Sequence, residues 1–245
     1  DMILVRRYAA HGSPNWQDCD EEPLSARSIG VHRRISAFIG GFLLYASAFL
    51  FGAPAAYFPF AFFLLPSLGA LLVLLLHNAL RSHWGLPLEP YLYPLARLLS
   101  LMGLLGLPFF LFLPELFPWA RPEASLDPVL LHRAPYLNAP FLFLRYALSF
   151  ALFAFVLSRL RPGEYRAEVG AWGLPLVFVA GTFLSFDLFK SLEAHFYSAS
   201  YGGIVLLSAA ILALAVAVAL AARQGTAALR GQAQNHTNLL LALSI

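Results

Sequence analysis

The stretch Ser198 to Ala222, SASYGGIVLLSAAILALAVAVALAA, contains no charged side chain. A helix needs about 20 apolar residues to cross a hydrocarbon layer roughly 30 Å thick, and this stretch exceeds that length. Soluble domains carry about 25% charged residues, whereas this chain has 12% charged and 60% hydrophobic residues with a mean hydropathy of +0.70. The sequence therefore predicts a membrane protein.

Similar apolar stretches precede this one. They predict six spans plus the start of a seventh, at about 35–52, 57–78, 96–114, 139–158, 169–188, 198–222 and 237–245. The stretches are continuously apolar, as in helices, and do not alternate as barrel strands do. The predicted fold is all-α, a polytopic membrane helical bundle at 34–245 after a polar tail at 1–33. Because the sequence begins at Asp1 and ends in an apolar run, we expect it to be part of a longer protein.

The basic residues predict an orientation. Most arginines precede the first span or occupy the even-numbered loops, and cytoplasmic loops carry an excess of Arg and Lys. We therefore expect a cytoplasmic N-terminus and multi-pass topology. The same loop asymmetry explains the net charge of +3. Nucleic acid is not expected as a partner, because the sequence has no basic stripe of the kind that binds it.

Redox centres are not expected within this chain. Cys19 is the only cysteine, which excludes a C-x-x-C-H haem attachment and a cysteine-ligated cluster. A bundle haem needs two facing histidines, and the predicted spans contain only His77. We expect His77, which precedes Asn78, to cap a helix end or to hydrogen-bond to a neighbour. No metal site is predicted, since Glu193 and His195 supply two ligands where three or four are usual.

A charged cluster stands out between the last two predicted spans. The stretch Ser185 to Ser198, SFDLFKSLEAHFYS, brings Asp187, Lys190, Glu193 and His195 close together in sequence. Charges at a membrane rim cost a few kcal/mol each unless they are paired or hydrated. We predict that Asp187, Glu193 and His195 handle protons on the exoplasmic side. Glu193 and His195 also fit ordinary solvated loop residues.

Arg145 is a second unusual charge, inside the span 139–158. At about 1.5 Å per helical residue, it lies roughly 9 Å below the edge that also carries Asp187. The matching depths predict an ion pair, because a lone buried charge is costly. The pair fits two roles. It is purely structural, or Arg145 adjusts the proton affinity of Asp187 or polarises a ligand carbonyl.

Hydroxyl side chains lie near this predicted pair. Thr182 and Ser185 precede Asp187 by about a turn or less, and Ser149 follows Arg145 by a turn. Such hydroxyls usually bond back to the preceding helical turn, although a proton path along this face is an alternative.

Two motifs together resemble a known family. The first is APYLNAPFLFLR at Ala134 to Arg145, and the second is the SFDLFKSLEAHFYS cluster. In this order they resemble the NrfD-like (polysulfide reductase C type) membrane subunits of alternative complex III, in particular the smaller ActF-type subunit. Such complexes oxidise quinol in bacterial membranes. The resemblance implies a four-helix-bundle architecture and a bacterial cell-membrane location.

The resemblance also implies partners and site residues. It predicts a larger NrfD-like quinol-binding subunit, an iron–sulfur subunit and multihaem cytochrome c subunits, with the haem c and iron–sulfur clusters in those partners, quinol nearby and lipids around the chain. This subunit would support proton translocation or release, and assembly. The positions that match the family motifs are Tyr136, Asn138, Pro140, Arg145, Asp187, Glu193, His195 and Ser198.

Two alternatives remain open at this point. In the first, the chain is a membrane scaffold whose charges merely pair. In the second, it is a secondary transporter, a class in which binding groups lie near the midplane on interrupted helices. The polar groups of this sequence lie at one predicted rim, which disfavours the transporter.

Overall fold

The computed structural model describes Tyr45 and residues 47–81, 83–193 and 195–223. The chain divides into two units, Asp1–Ala56 and Tyr57–Ile245. The predicted tail at 1–33, most of the span at 35–52 and the start of a span at 237–245 lie outside the described residues. The first unit contributes a 3₁₀ turn at Phe49–Phe51. Every residue of the candidate site belongs to the second unit.

The regular elements within the described ranges are all helical, which confirms the predicted all-α class. Within the described ranges, five helical stretches are long and apolar enough to cross a membrane. Their α-helical parts are α1 (Ala53–Leu80), α2 (Glu89–Leu105), α3 (Ala139–Arg159), α4 (Ala167–Leu188) and α5 (Tyr201–Arg223). The stretch that contains α2 continues to Leu111, and the one that contains α4 continues to Glu193. Four of the five begin and end within a few residues of the predicted spans.

The exception is α2, which begins at Glu89 instead of near residue 96. The charge of Glu89 places it outside an apolar span, yet its side chain is buried beside His77. After Leu105 the chain tightens into a 3₁₀ helix at Leu107–Leu111 that contains Pro108. The apolar residues thus continue past the end of α2 into the 3₁₀ helix Leu107–Leu111. For this reason the span predicted from the sequence, 96–114, lies further along the chain than α2.

Small residues let the long helices approach each other closely. A Cβ atom added to Gly69 of α1 would lie 1.9 Å from the Ala209 carbonyl oxygen of α5. A Cβ atom at Gly202 would lie 2.5 Å from Thr182 Cγ2. Close backbone approach at glycine is typical of membrane helix pairs. Contacts between α4 and α5 and between α3 and α4 connect the bundle further.

The loop before α3 folds onto the bundle. It contains two short α-helices and two 3₁₀ helices, each with proline at its first or second position, at Leu113–Leu116, Pro118–Ala120, Pro122–Leu126 and Pro128–Arg133. Proline is favoured there because the first helical N–H groups lack acceptors in any case. Phe117 is buried, and its ring lies 6.4 Å from that of Tyr57. The loop is therefore a packed cover.

Hydrogen bonds identify two opposite ends of the bundle. The Tyr57 hydroxyl, near the start of α1, donates to the Leu188 carbonyl at the end of α4. At the other end of α1, the Asn78 side-chain oxygen accepts from the Arg166 N–H, just before α4. A rise of 1.5 Å per residue places Tyr57 and His77 about 30 Å apart. We call these the Tyr57 end and the His77 end.

Candidate functional site

A buried ion pair lies at the Tyr57 end, where α3 begins and α4 finishes. Arg145 Nε donates to Asp187 Oδ2 at 2.8 Å, and Arg145 Nη2 donates to Asp187 Oδ1 at 2.9 Å. The Asp187 side chain is 1% exposed and that of Arg145 is 11% exposed. The predicted ion pair is confirmed. The two parallel hydrogen bonds fix the orientation of the guanidinium group relative to the carboxylate, whereas a single hydrogen bond would leave it free to rotate.

Aromatic rings enclose the guanidinium group. Arg145 Cζ lies 3.9 Å from the centroid of the Tyr136 ring and 4.2 Å from that of Phe141. Arg145 Nη1 also donates to the Tyr136 carbonyl oxygen at 3.1 Å. Arginine suits this environment because its planar head is weakly hydrated and stacks on aromatic faces. Tyr136 therefore covers the ion pair with both its ring and its backbone.

The Tyr136 hydroxyl is buried and interacts with the Asp187 carboxylate, although the two do not form a well-aligned hydrogen bond. Burial raises the pKa of Tyr136, and the negative charge of Asp187 raises it further, while Arg145 opposes the shift. The hydroxyl consequently keeps its proton at neutral pH. Tyr136 is thus a neutral donor placed against a buried carboxylate.

Asn138 serves as the N-cap of α3. Its side-chain oxygen accepts from the Phe141 N–H at 3.0 Å, and its amide nitrogen donates to the carbonyls of Ala134 and Pro135 at 3.1 and 3.0 Å. N-cap side chains satisfy backbone N–H groups that the helix cannot. The predicted site residue Asn138 therefore holds the turn that carries Tyr136, and its polar atoms are used locally.

Glu193 and His195 lie on the surface, apart from the buried carboxylate. The His195 side chain is 54% exposed and that of Glu193 is 76% exposed. His195 Nε2 lies 2.7 Å from Asp127 Oδ2, while its Nδ1 is 4.0 Å from Glu193 Oε1. The charged cluster of the sequence thus separates into a buried carboxylate and a hydrated surface group.

Asp127 was not predicted as a site residue. Its Oδ1 accepts from the N–H groups of Val129 and Leu130, which makes it the N-cap of the short helix Pro128–Arg133. The Val129 N–H is the largest cause that holds the pKa of Asp127 below its usual value, and His195 contributes. Asp followed by Pro is a recognisable helix start, but no sequence signal connects it to His195.

A cavity of about 350 Å³ has Tyr136, the residue that covers the ion pair, in its wall. Its lining combines basic and aromatic side chains: His132, Arg133, Pro135, Tyr136, Leu137, Phe186, Lys190, Ser191, Phe196 and Tyr197. Lys190 Nζ donates to the Ser198 carbonyl at 3.3 Å and lies 4.8 Å from the Phe186 ring centroid. His132 and Arg133 were missed because they lie in a loop whose path the sequence does not reveal.

The hydroxyl groups of the predicted path, Thr182, Ser185 and Ser149, have the following surroundings. Ser185 Oγ donates back to the Gly181 carbonyl at 2.8 Å, the local bond usual for such residues. Thr182 is half-buried against Gly202, and Ser149 is buried on α3 one turn beyond Arg145. Ser185 is therefore engaged within its own helix, and a continuous path stays a prediction.

A second cavity, of about 440 Å³, lies between α1, α4 and α5 and is lined by apolar side chains, including Leu76, Phe178 and Leu207. It offers no group for acid–base chemistry.

Within the described ranges, no three His, Cys, Asp or Glu side chains group closely enough to hold a metal ion.

No protein-family model matches the sequence, and no curated protein shows significant similarity to it.

Proposed function

We propose that this chain is an integral membrane subunit of a quinol-oxidising complex of the alternative complex III type. It would carry no redox centre and would assist proton release and assembly. In this proposal the Tyr57 end faces the exoplasmic side of a bacterial cell membrane, and the N-terminus is cytoplasmic. The larger NrfD-like subunit, the iron–sulfur subunit and multihaem cytochrome c subunits would hold the redox centres.

The buried Arg145–Asp187 pair carries the proposal. Asp187 is almost fully buried, and Tyr136, which interacts with it, also lines a cavity of about 350 Å³. Buried charges near a membrane are costly and usually mark ion or proton pathways. Three features thus support the proposal: the protonatable carboxyl group of Asp187, the neutral hydroxyl of Tyr136 and the cavity that Tyr136 lines.

The proposed chemistry concerns protons alone. Oxidation of a quinol to a quinone releases two protons and two electrons, and the electrons would pass to clusters or haems of the partner subunits. The Tyr136 hydroxyl, which interacts with the Asp187 carboxylate, would pass its own proton to Asp187 as it accepts one from quinol at the cavity. Asp187 would then return that proton through Tyr136 to the exoplasmic water, which restores both groups. Arg145 would hold Asp187 in place and compensate its charge between transfers.

A scaffold role is the second candidate, and one observation favours it. Both carboxylate oxygens of Asp187 already accept hydrogen bonds from Arg145. The pair would then serve to join α3 to α4. Replacing both residues with uncharged ones of similar size would leave quinol turnover and proton release unchanged under this alternative.

The test uses the intact complex purified through this chain. Mass spectrometry of copurifying proteins should find an iron–sulfur subunit and multihaem cytochromes. Turnover is then measured with a short-chain ubiquinol and a short-chain menaquinol, and proton release with a pH-sensitive dye. Asp187→Asn should lower the rate of proton release at least tenfold, and Tyr136→Phe should lower it to a lesser extent.

The matched control is Glu123→Gln, an equivalent amide substitution at an exposed loop position. Glu123→Gln should leave the rates of quinol turnover and proton release unchanged. Absence of any quinol oxidation by the purified complex would reject the proposal. Unchanged proton release in Asp187→Asn, with an assembled complex, would favour the scaffold.

A further inference from the structure

The basic side chains of the Tyr57 end gather around one cavity. The segments that join α2 to α3 and α4 to α5, at 106–138 and 189–200, contain three Lys or Arg residues, Arg121, Arg133 and Lys190. Arg133 and Lys190 both line the cavity of about 350 Å³, together with His132. The same segments contain four Asp or Glu residues, but none of these is among the described residues of the lining. The cavity wall is therefore cationic.

The ammonium group of Lys190 is fixed at this wall. Its Nζ lies 4.8 Å from the ring centroid of Phe186 and 4.9 Å from that of Tyr197, and both residues line the cavity. It donates to the Ser198 carbonyl at 3.3 Å, its one hydrogen bond within the part of the chain that the structure describes. An ammonium group carries three donor hydrogens. Two of them are therefore available to a ligand.

The two cations of the wall repel each other. Arg133, half-buried at the end of the short helix Pro128–Arg133, lies close enough to Lys190 for their like charges to interact. Like charges held near each other destabilise the fold, and an anion bound to both replaces repulsion with attraction. Ser191 in the same wall donates to the Asp187 carbonyl, so it supplies no further donor. The arrangement is that of an anion site built on Arg133 and Lys190.

The position of the cavity favours a lipid over other anions. Phe186 lies in the last turn of α4, and Lys190 follows the end of that helix at Leu188 by two residues. The end of a membrane-spanning helix lies at the level of the lipid headgroups, and aromatic side chains are typical of that level. Phe196 and Tyr197, which line the cavity, are 48% and 77% exposed. Basic pockets beside membrane helices bind anionic headgroups.

We propose that this cavity binds the phosphate group of an anionic phospholipid through Arg133 and Lys190, with His132 as a further hydrogen-bond donor. Ligand pockets measure about 300–1,000 Å³, so a cavity of about 350 Å³ takes the headgroup and leaves the acyl chains in the bilayer. This inference does not rest on the proposed function. In a quinol-oxidising complex, the lipid and quinol would compete for the cavity.

The test measures lipid binding to the full chain in mild detergent by native mass spectrometry. Phosphatidylglycerol, whose headgroup has a net negative charge, is compared with phosphatidylcholine of the same acyl chains, whose headgroup is neutral overall. Each basic residue near a membrane surface contributes about 1 kcal/mol to the attraction of anionic lipid, which is about fivefold in Kd. Arg133 and Lys190 together should therefore favour phosphatidylglycerol about thirtyfold.

Substitutions locate the binding at this cavity. Lys190→Gln and Arg133→Gln should each weaken phosphatidylglycerol binding about fivefold, and the double variant should weaken it about thirtyfold. Lys190→Arg keeps the charge and should retain the affinity. Arg121→Gln is the matched control, because Arg121 is an exposed cation of the same segment as Arg133 and is not part of the cavity wall. It should leave the affinity unchanged.

Three results would overturn the proposal. The first is equal affinity for the two lipids, which counts whether or not the variants fold. The second is a loss in Arg121→Gln as large as that in Lys190→Gln, since it would indicate general attraction to a basic surface. The third is displacement of phosphatidylglycerol by inorganic phosphate, which would assign the cavity to the free anion. These readouts involve no quinol turnover, so their failure is distinguishable from failure of the proposed function.

Discussion

Removal of one partner of the buried ion pair is the sharpest test of the fold around the site. Arg145→Gln leaves the Asp187 carboxylate, which is 1% exposed, without its guanidinium. Breaking a buried pair in this way costs about 3–5 kcal/mol. For a chain of this size, each kcal/mol corresponds to roughly 2–4 °C in Tm. The expected loss is therefore about 6–20 °C.

A double-mutant cycle separates the pair from its surroundings. Asp187→Asn should also destabilise the chain, because it leaves the Arg145 head between two rings without a carboxylate. The double variant Arg145→Gln/Asp187→Asn removes both charges and should lose less stability than the two single variants together. The coupling energy should lie at the upper end of the usual range of about 0.5–3 kcal/mol.

The assay is unfolding in mild detergent followed by circular dichroism. Arg159→Gln is the matched control, since Arg159 lies on the same helix, exposed, 4.7 Å above the Phe155 ring. It should change stability by less than about 1 kcal/mol. Additive losses in the double variant would refute the reasoning, because they would mean that the two side chains do not stabilise each other.

Three further changes test the supports of the site. Asn138→Ala should lower the free energy of unfolding by about 1 kcal/mol, because the N-cap of α3 is lost. Asn138→Asp, which can still cap the helix, should keep most of that stability in the same unfolding assay. Gly69→Ala should destabilise by about 1–3 kcal/mol through overpacking, while Gly203→Ala, whose Cβ would meet its nearest atom at 3.9 Å, should be neutral or stabilising. The pKa of Asp127 is lowered in the folded protein. Its stabilisation of the helix Pro128–Arg133 is therefore complete above its ordinary pKa of about 3.9, and this stabilisation is lost as the pH falls through the lower pKa of the folded state. Hydrogen exchange of the helix that Asp127 caps should therefore increase below about pH 4 in the unsubstituted protein, and Asp127→Ala should show the increase at neutral pH too.

The ion pair could be predicted because its physics is simple. Arg145 and Asp187 are each the one charge within a predicted apolar span, at 139–158 and 169–188. A lone buried charge is costly, and a helix converts sequence position into depth. These three facts suffice to pair them. The aromatic cover could not be predicted in the same way, since the position of Tyr136 depends on the turn that Asn138 caps.

The contacts of His195 were not predictable from sequence. Its partner Asp127 lies in the loop before α3, and that loop is folded by proline-started short helices and by packing of Phe117. Local signals identify the helix starts, but the direction of each short helix follows from burial against the bundle. Asp187 and His195 are therefore close in sequence, but one is buried and the other is on the surface of the folded protein.

Glu89 illustrates a different difficulty. A hydropathy criterion counts an acidic residue as the end of an apolar span, because a lone carboxylate would be expelled to water. Here the Gly163 N–H donates to the carboxylate, and His77 Nε2 lies 3.4 Å from it. Since those partners come from α1 and from the loop before α4, only the folded arrangement explains why α2 starts so early.

The buried polar clusters at Asp187 and at Glu89 also limit how the described helices could conduct protons. They are separated by about 30 Å, the thickness of a hydrocarbon layer, so both would lie at interfaces where water lowers the cost of charge. Between them, the buried hydroxyl side chains of the described residues include those of Ser67, Ser149, Ser185 and Tyr146. Ser67 and Ser185 donate to carbonyls of their own helices. The described helices therefore carry a buried polar cluster near each end, and the serines between them that bond to their own helices do not connect the two clusters. If the proposed complex translocates protons, substitution of Ser149 with Ala should leave its rate almost unchanged, whereas Asp187→Asn should not.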